Sequence, residues 1–245
     1  MNVEVAQASR LGGRRINQDR AAYARSDTSL LLVLADGMGG MPRGEVAAQH
    51  AVDRLLAAFR AAAQPRLADP AGFFRQAMTA AHEDIQAYAR KHLLGNPPGT
   101  TCVACLLQEG TARWAHVGDS RCYLLRKGSV VARTRDHSLV QELLDQGLLP
   151  AVDPLRFVER GVLTNCLGGW ETPSVEIGPP LCLQSGDVVL LCSDGLWGQL
   201  AEAEFAAALC DNPLEQAVAA LAQAAEWEGG AASDNVTLLA ARWLG

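Results

Sequence analysis

Leu30-Leu31-Leu32-Val33-Leu34-Ala35-Asp36-Gly37-Met38-Gly39-Gly40 is the stretch around which the rest of the chain is organised. Five apolar residues, Leu30 to Leu34, have the length of a buried strand. The run stops at Asp36-Gly37, and two more glycines follow at 39 and 40. A carboxylate at the end of a buried strand is costly to desolvate unless something pairs with it. A metal ion is the natural partner. The glycines leave room for carbonyls and ligands to approach where a Cβ would block them.

The same pattern recurs far along the chain. Leu190 to Ser193 ends in Asp194-Gly195, and Trp114 to Val117 ends in Gly118-Asp119-Ser120. Ser233-Asp234-Asn235 precedes the apolar run Val236 to Ala241, and Arg14 to Asp19 precedes another apolar segment. Each Asp-Gly pair alone reads as a turn. Asp19, Asp36, Asp119, Asp194 and Asp234 at the ends of strands of one sheet system would converge on one rim. Clustered carboxylates repel unless cations lie among them. Oxygen ligands without His or Cys favour Mg2+ or Mn2+ over Zn2+.

Composition narrows the field. The 245 residues are 49% hydrophobic with a net charge of −6. That affords a sizeable core and argues against a nucleic-acid partner, which would want a basic face. The N-terminus lacks the pattern of a signal peptide, and no apolar run reaches the roughly eighteen residues of a membrane span. The expectation is a cytoplasmic, monomeric protein without a membrane partner. The seven cysteines are scattered. Those at 102, 105, 122, 182 and 192 lie in apolar strand-like runs and read as reduced, buried thiols. Cys102 and Cys105 would point to opposite faces of a strand, so the CxxC spacing reads as core rather than zinc.

In chain order, Val3–Ala8 reads as an edge strand and 21–24 as a short strand. Glu45–Ala63 reads as a helix, with Val52, Leu55, Leu56 and Phe59 on one face. Asp69 caps a second helix with Pro70 at its first position. Strands are expected over Thr100–Gln108, Thr111–Val117, Arg121–Arg126 and Ser129–Arg133, with Lys127-Gly128 as a hairpin turn. Ser138–Gln146 is a capped short helix. Leu148–Gly161 reads as an exposed loop. Strands at 181–183 and Val188–Cys192 precede helices over Glu202–Leu209 and Pro213–Trp227, with Asn212 capping the second. Val236–Trp243 closes as a strand. Strands cluster and helices come in pairs, which predicts antiparallel sheets flanked by helix pairs in a single domain, 1–245.

The set RRINQD at 14–19, LADGMGG with Gly44-Glu45, Gly99-Thr100-Thr101, HVGDSR at 116–121, Asp136-His137-Ser138, LCSDGLW at 191–197 and SDNVT at 233–237 resembles the PP2C (PPM) family of metal-dependent Ser/Thr protein phosphatases. The motifs follow the order and spacing of compact bacterial members from about residue 9 to 240. The resemblance implies an α+β fold, a four-layer α-β-β-α sandwich. It implies that Asp36 bridges two Mn2+ or Mg2+ ions with help from the Gly37 carbonyl, and that Asp194 and Asp234 bind the second. Asp19 would support the site through water, and Asp119 with Asp194 matches the place of a possible third ion. Arg14 matches the arginine that grips the substrate phosphate; Arg15 competes for the role, but Arg14 has the family's spacing to Asp19.

Such a site works by two ions about 4 Å apart sharing a water, whose hydroxide attacks phosphorus in line with the leaving oxygen. An arginine presents paired donors to phosphate oxygens. Two departures stand out. Gln18 sits where Glu is common, and Met38 where some relatives carry a His proposed as general acid. His116 and His137 are alternative donors, though each reads more readily as structural. The 148–161 loop occupies the place of the family's flap, and its Arg156, Glu159 and Arg160 either touch a peptide or keep the loop soluble. Implied partners are phosphorylated Ser/Thr proteins and a cognate bacterial kinase. No cysteine has Arg six positions later, and GxxxxGK[ST] is absent, which removes cysteine-based phosphatases and P-loop enzymes. The remaining alternative is a catalytically inactive phosphatase-like binding module, which the retained aspartates disfavour.

Overall fold

Ser29–Ala35 (β3) is buried along its whole length. In the computed structural model, which describes residues 1–38, 43–149 and 161–245, both faces of this strand are covered, which is why its sequence is apolar without alternation. Leu30, Leu32 and Leu34 point into a core between two sheets. Leu31, Val33 and Ala35 point the other way, against helices. Successive residues of a strand face opposite sides, so one continuous run fills two layers.

One sheet has the order β2 (Arg20–Arg25), β3, β4 (Cys102–Gln108), β5 (Thr111–Val117) and β8 (Glu176–Ile177), with β9 (Leu181–Cys182) also paired to β5. The other has the order β1 (Val3–Arg10), β11 (Val236–Trp243), β10 (Val188–Cys192), β6 (Arg121–Arg126) and β7 (Ser129–Arg133). Every pairing is antiparallel. Cys102 packs on the helical side of β4 and Cys105 on the inter-sheet side, as the strand period requires.

Helices α1 (Gly44–Ala62) and α2 (Pro70–Lys91) cover the first sheet. Asp69 caps α2 by accepting the Gly72 N–H at 3.0 Å. The second sheet is covered by α5 (Glu202–Asp211) and α6 (Leu214–Gly229). Between them in sequence lie α3 (Leu139–Asp145), capped by the Ser138 hydroxyl on Gln141 N, and the single turn α4 (Asp194–Trp197). The layers are helix, sheet, sheet, helix, as expected. Lys127 and Gly128 both hold positive φ, 50° and 74°, which is the two-residue turn that matches strand twist.

Several expectations need correcting. Asn212 does not cap α6: its amide reaches back to the Ala208 carbonyl at 3.0 Å, and Pro213 precedes the helix with no side-chain cap. Cys182 is exposed, because β9 is a two-residue edge. β4 begins at Cys102, not Thr100. Thr100 makes isolated bridges to Gly37 and Leu167 instead. Of the 148–161 loop, residues 150–160, including Arg156, Glu159 and Arg160, lie outside the described residues.

Candidate active site

Because the strands are antiparallel, the ends of β3, β5 and β10 lie on the same rim as the starts of β2, β4 and β11. Asp36 follows β3, Asp119 follows β5 and Asp194 follows β10. Asp19 precedes β2 and Asp234 precedes β11. Asp36, Asp119, Asp194 and Asp234 line one cavity of about 320 Å³, and Arg14, Gly37 and Met38 line it too. Arg15 is exposed and does not. Asp19 is buried behind the cavity, 3% exposed. All seven residues singled out in the sequence are thus gathered at one place.

The backbone at Asp36 is clamped from the neighbouring strand. Its N–H donates to Thr101 Oγ1 at 2.9 Å, and its carbonyl accepts from Thr101 N and Thr100 Oγ1, each at 2.8 Å. Thr101 Oγ1 also pairs with Ser120 Oγ at 2.7 Å, one residue past Asp119. Gly37 and Gly44 lie back to back. A Cβ on Gly37 would meet the Gly44 carbonyl at 2.4 Å, and one on Gly44 would meet Gln18 Nε2 at 2.6 Å. These glycines let the start of α1 close on the loop that carries Gln18 and Asp19.

The electrostatics are those of crowded carboxylates. Burial first, then the charges of Asp19, Asp194, Asp119 and Asp234, push the Asp36 carboxyl well above the usual carboxylate range. Asp119 is pushed well up by burial, then by Asp194 and Asp136. Burial also raises Asp19, against the opposing bond from Ser193 Oγ to its Oδ2 at 2.8 Å. The other oxygen, Asp19 Oδ1, is buried and meets no hydrogen-bond donor among the described residues. Arg14 donates to Asp234 Oδ2 at 2.6 Å.

Asp119 has support that its sequence context did not announce. Trp197, three residues after Asp194, donates its indole N–H to the Asp119 carbonyl at 3.1 Å. The Arg121 guanidinium lies 3.7 Å over the Trp197 ring and makes two bonds to Asp136, at 2.8 and 2.7 Å. The GDSR, Asp136-His137-Ser138 and SDGLW motifs therefore meet in one buried arrangement. The roles of Thr101, Ser193 and Trp197 were missed because each acts across a long stretch of chain.

His116 and His137 stack at 4.5 Å and neither lines the cavity. With Glu176 they form a compact group whose donor atoms lie within 4.8 Å of one another. Hydrogen bonds fill both ring nitrogens of His137 but only Nε2 of His116, whose buried Nδ1 meets no hydrogen-bond partner among the described residues. His137 Nδ1 accepts from Gly118 N at 3.2 Å and Asn165 Nδ2 at 2.9 Å, which leaves the ring proton on Nε2, facing Glu176. His116 Nε2 donates to the Arg135 carbonyl at 2.7 Å. His137, with its Nδ1 lone pair taken and its proton on Nε2, has no lone pair for a metal.

The family described as protein phosphatase 2C matches residues 6–233. The serine/threonine phosphatase stp of Listeria monocytogenes is 32% identical over 230 residues, covering 92% of this chain and 90% of the relative. The crystal structure of the serine/threonine phosphatase Stp1 from Staphylococcus aureus superposes with a TM-score of 0.90 at 28% identity, covering 100% of this chain and 96% of that one. The catalytic domain of the serine threonine protein phosphatase PstP, solved in complex with 2 manganese ions, superposes with a TM-score of 0.81 at 30% identity, covering 99% of each chain.

Proposed function

The chain belongs to the protein phosphatase 2C family, and from that premise we propose that it hydrolyses phosphoserine and phosphothreonine in proteins with the help of two Mn2+ or Mg2+ ions. Residues 1–245 form one phosphatase domain on this reading. The observation that carries it is the meeting of four aspartates from both sheets in one cavity, with Arg14 beside them.

The donor set fits divalent ions. It consists of carboxylate oxygens and a backbone carbonyl, the ligands that hard cations take. Burial first and neighbouring carboxylates second push Asp36 and Asp119 upward, and added positive charge relieves both. The buried Oδ1 of Asp19 is a further acceptor in want of a partner. Asp36, with the Gly37 carbonyl, Asp194 and Asp234 would hold the pair; Asp119 with Asp194 would hold a third ion, and Asp19 would support the site from behind. When bound, such ions supply an acidified water near neutral pH and neutralise charge on the phosphoryl group.

The remaining work falls to the chain's own side chains. Arg14 binds the phosphoryl oxygens through its planar pair of donors and orients phosphorus for in-line attack. Doing so means exchanging its bond to Asp234 for bonds to substrate. Met38 lines the cavity but has no proton to give, so the leaving seryl or threonyl oxygen takes its proton from water. Among the described residues no helix is long and apolar enough to cross a membrane. We place the enzyme in the cytoplasm as a monomer, opposing a Ser/Thr kinase.

The test is release of phosphate from a phosphothreonine peptide with Mn2+, with chelator, and in Asp36→Asn. Metal-dependent turnover that vanishes in the variant, with an unchanged circular dichroism spectrum, is expected. Turnover that survives chelation or the substitution would sink the reading. So would peptide binding by the wild type without turnover.

A further inference from the structure

Leu93 and Trp170 are 92% and 72% exposed, and both line a cleft of about 500 Å³ whose other walls include Leu94 and Pro97. Two large apolar side chains bared side by side mark an interaction surface more often than an accident. Neither is on a loose segment. Leu93 sits in the turn closing α2, with a φ of 52°, where Leu94 N–H reaches back to the Ala89 carbonyl at 3.1 Å. Glycine is the usual residue at such a turn. A leucine there carries backbone strain, and its side chain is exposed.

The Trp170 loop is pinned just as firmly. Leu167 exchanges both backbone hydrogen bonds with Thr100, at 3.0 and 2.9 Å. Gly168 N–H donates to the buried His82 Nδ1 at 3.0 Å, and Gln86 Nε2 donates to the Gly169 carbonyl at 3.0 Å. Gly168 has a φ of 89°, and a Cβ there would lie 2.2 Å from the Pro98 carbonyl oxygen.

This platform is tied to the catalytic cavity. Thr100 bridges Gly37 on one side and Leu167 on the other. Two strand spacings separate Gly37 from Leu167, about 10 Å. Trp170 is three residues further, so its backbone lies within about 20 Å of Gly37. A second cleft of about 560 Å³ fills the interval, sharing Leu163 with the catalytic cavity and Trp170 with the apolar cleft. Its walls carry Glu142 and Glu171.

We propose that these three joined clefts form a docking groove for the phosphoprotein substrate's own chain. The phosphoresidue enters the catalytic cavity. A Lys or Arg beside it lies against Glu142 and Glu171. A large apolar residue, within about six residues of the phosphate at the roughly 3.3 Å advance of an extended chain, rests on Leu93 and Trp170. This inference rests on the phosphatase reading above and adds sequence preference to it.

The test uses the Mn2+-loaded enzyme and phosphothreonine peptides in which a single Leu is moved through positions one to eight on either side, in an alanine background. Leu at a spacing of six or fewer raises kcat/KM about tenfold, the scale of a buried aromatic contact. That gain disappears in Trp170→Ala and in Leu93→Ser, while Trp170→Phe keeps most of it. Hydrolysis of p-nitrophenyl phosphate, which reaches only the cavity, is unchanged in all three variants and shows that they fold. Equal rates for every Leu position, or a gain that survives Trp170→Ala, overturn the assignment. A wild-type dimer that Leu93→Ser dissociates overturns it too, by making a second copy the occupant. Absence of turnover on both substrates in the wild type removes the phosphatase reading, and the groove with it.

Discussion

Arg14 Nη2 lies 2.6 Å from Asp234 Oδ2, joining the loop after β1 to the turn before β11. Both side chains are partly exposed, 53% and 36%, so the pair contributes at most about 1 kcal/mol to stability. Its value is positional. The guanidinium is held at the edge of the carboxylate cavity, where the proposed reading puts the phosphoryl group.

Arg14→Ala is therefore expected to leave the melting temperature almost unchanged and to raise KM for phosphopeptides about tenfold or more, the loss of a charge-assisted pair of bonds. Arg14→Lys should fall between, since an ammonium cannot grip two oxygens in one plane. Arg15→Ala should behave like the wild type. Steady-state kinetics on one peptide decides it: a raised KM in Arg15→Ala and not in Arg14→Ala would exchange the roles.

In the metal-free protein the Asp36 and Asp119 carboxyls should add stability as the pH falls from 7.5 towards 5. They are opposed by His82 and His116, whose pKa values are lowered by burial first and whose protonation disfavours the native state. Asp36 and Asp119 have folded-state pKa values raised above their unfolded ones, by burial first and by neighbouring carboxylates next. A carboxyl raised in this way binds its proton more tightly in the native state, so protonation on acidification favours folding. Added Mn2+ should stabilise most at pH 7.5, by about 2.7 kcal/mol at a hundred times its Kd, or roughly 5–10 °C. Thermal melts at both pH values, with and without Mn2+, provide the check. The same melts on Asp36→Asn isolate the carboxylate: a metal-free wild type that loses as much stability from pH 7.5 to 5 as Asp36→Asn contradicts the repulsion argument.

Trp197→Phe keeps an aromatic side chain near Arg121, removes the N–H that meets the Asp119 carbonyl and also removes part of the buried indole. A cost of about 1–3 kcal/mol in urea unfolding is expected, from the lost bond and the volume left unfilled. Arg121→Ala should cost about 3–5 kcal/mol, because it strands the buried Asp136 carboxylate without its two bonds. Equal losses in the two variants would mean that the ion pair and the indole bond do not act as separate supports.

Much of this was legible in the sequence, for reasons that are local. The Leu30–Leu34 run, the Asp69 and Ser138 caps and the Lys127-Gly128 turn each depend on residues within a few positions, and each is found as read. The aspartates were legible because each stands at the end of an apolar run. What was not legible depends on distance. Thr101 holds Asp36 across 65 positions, and Trp197 holds Asp119 across 78. No periodicity marks β8, two residues recruited by the edge of β5. Asn212 misled because an Asn before a helix commonly caps it, whereas here its amide closes the preceding one.

Gly44 sets a local rule against a tertiary one. It is the first residue of α1, where helix propensity alone makes alanine better than glycine by up to about 1 kcal/mol. Its neighbours forbid the methyl group. A Cβ there would lie 2.6 Å from Gln18 Nε2 and 2.9 Å from the Gly37 carbonyl carbon. The Gln18 amide can swing aside, but the Gly37 backbone cannot move without shifting the residue next to Asp36. Gly44→Ala should therefore lower the melting temperature and cut turnover at least tenfold, with Mn2+ affinity weakened in parallel. Isothermal titration with Mn2+ alongside the rate measurement separates this from simple unfolding. A variant with normal Mn2+ affinity and normal turnover would mean that the Gly37–Gly44 contact does not shape the site.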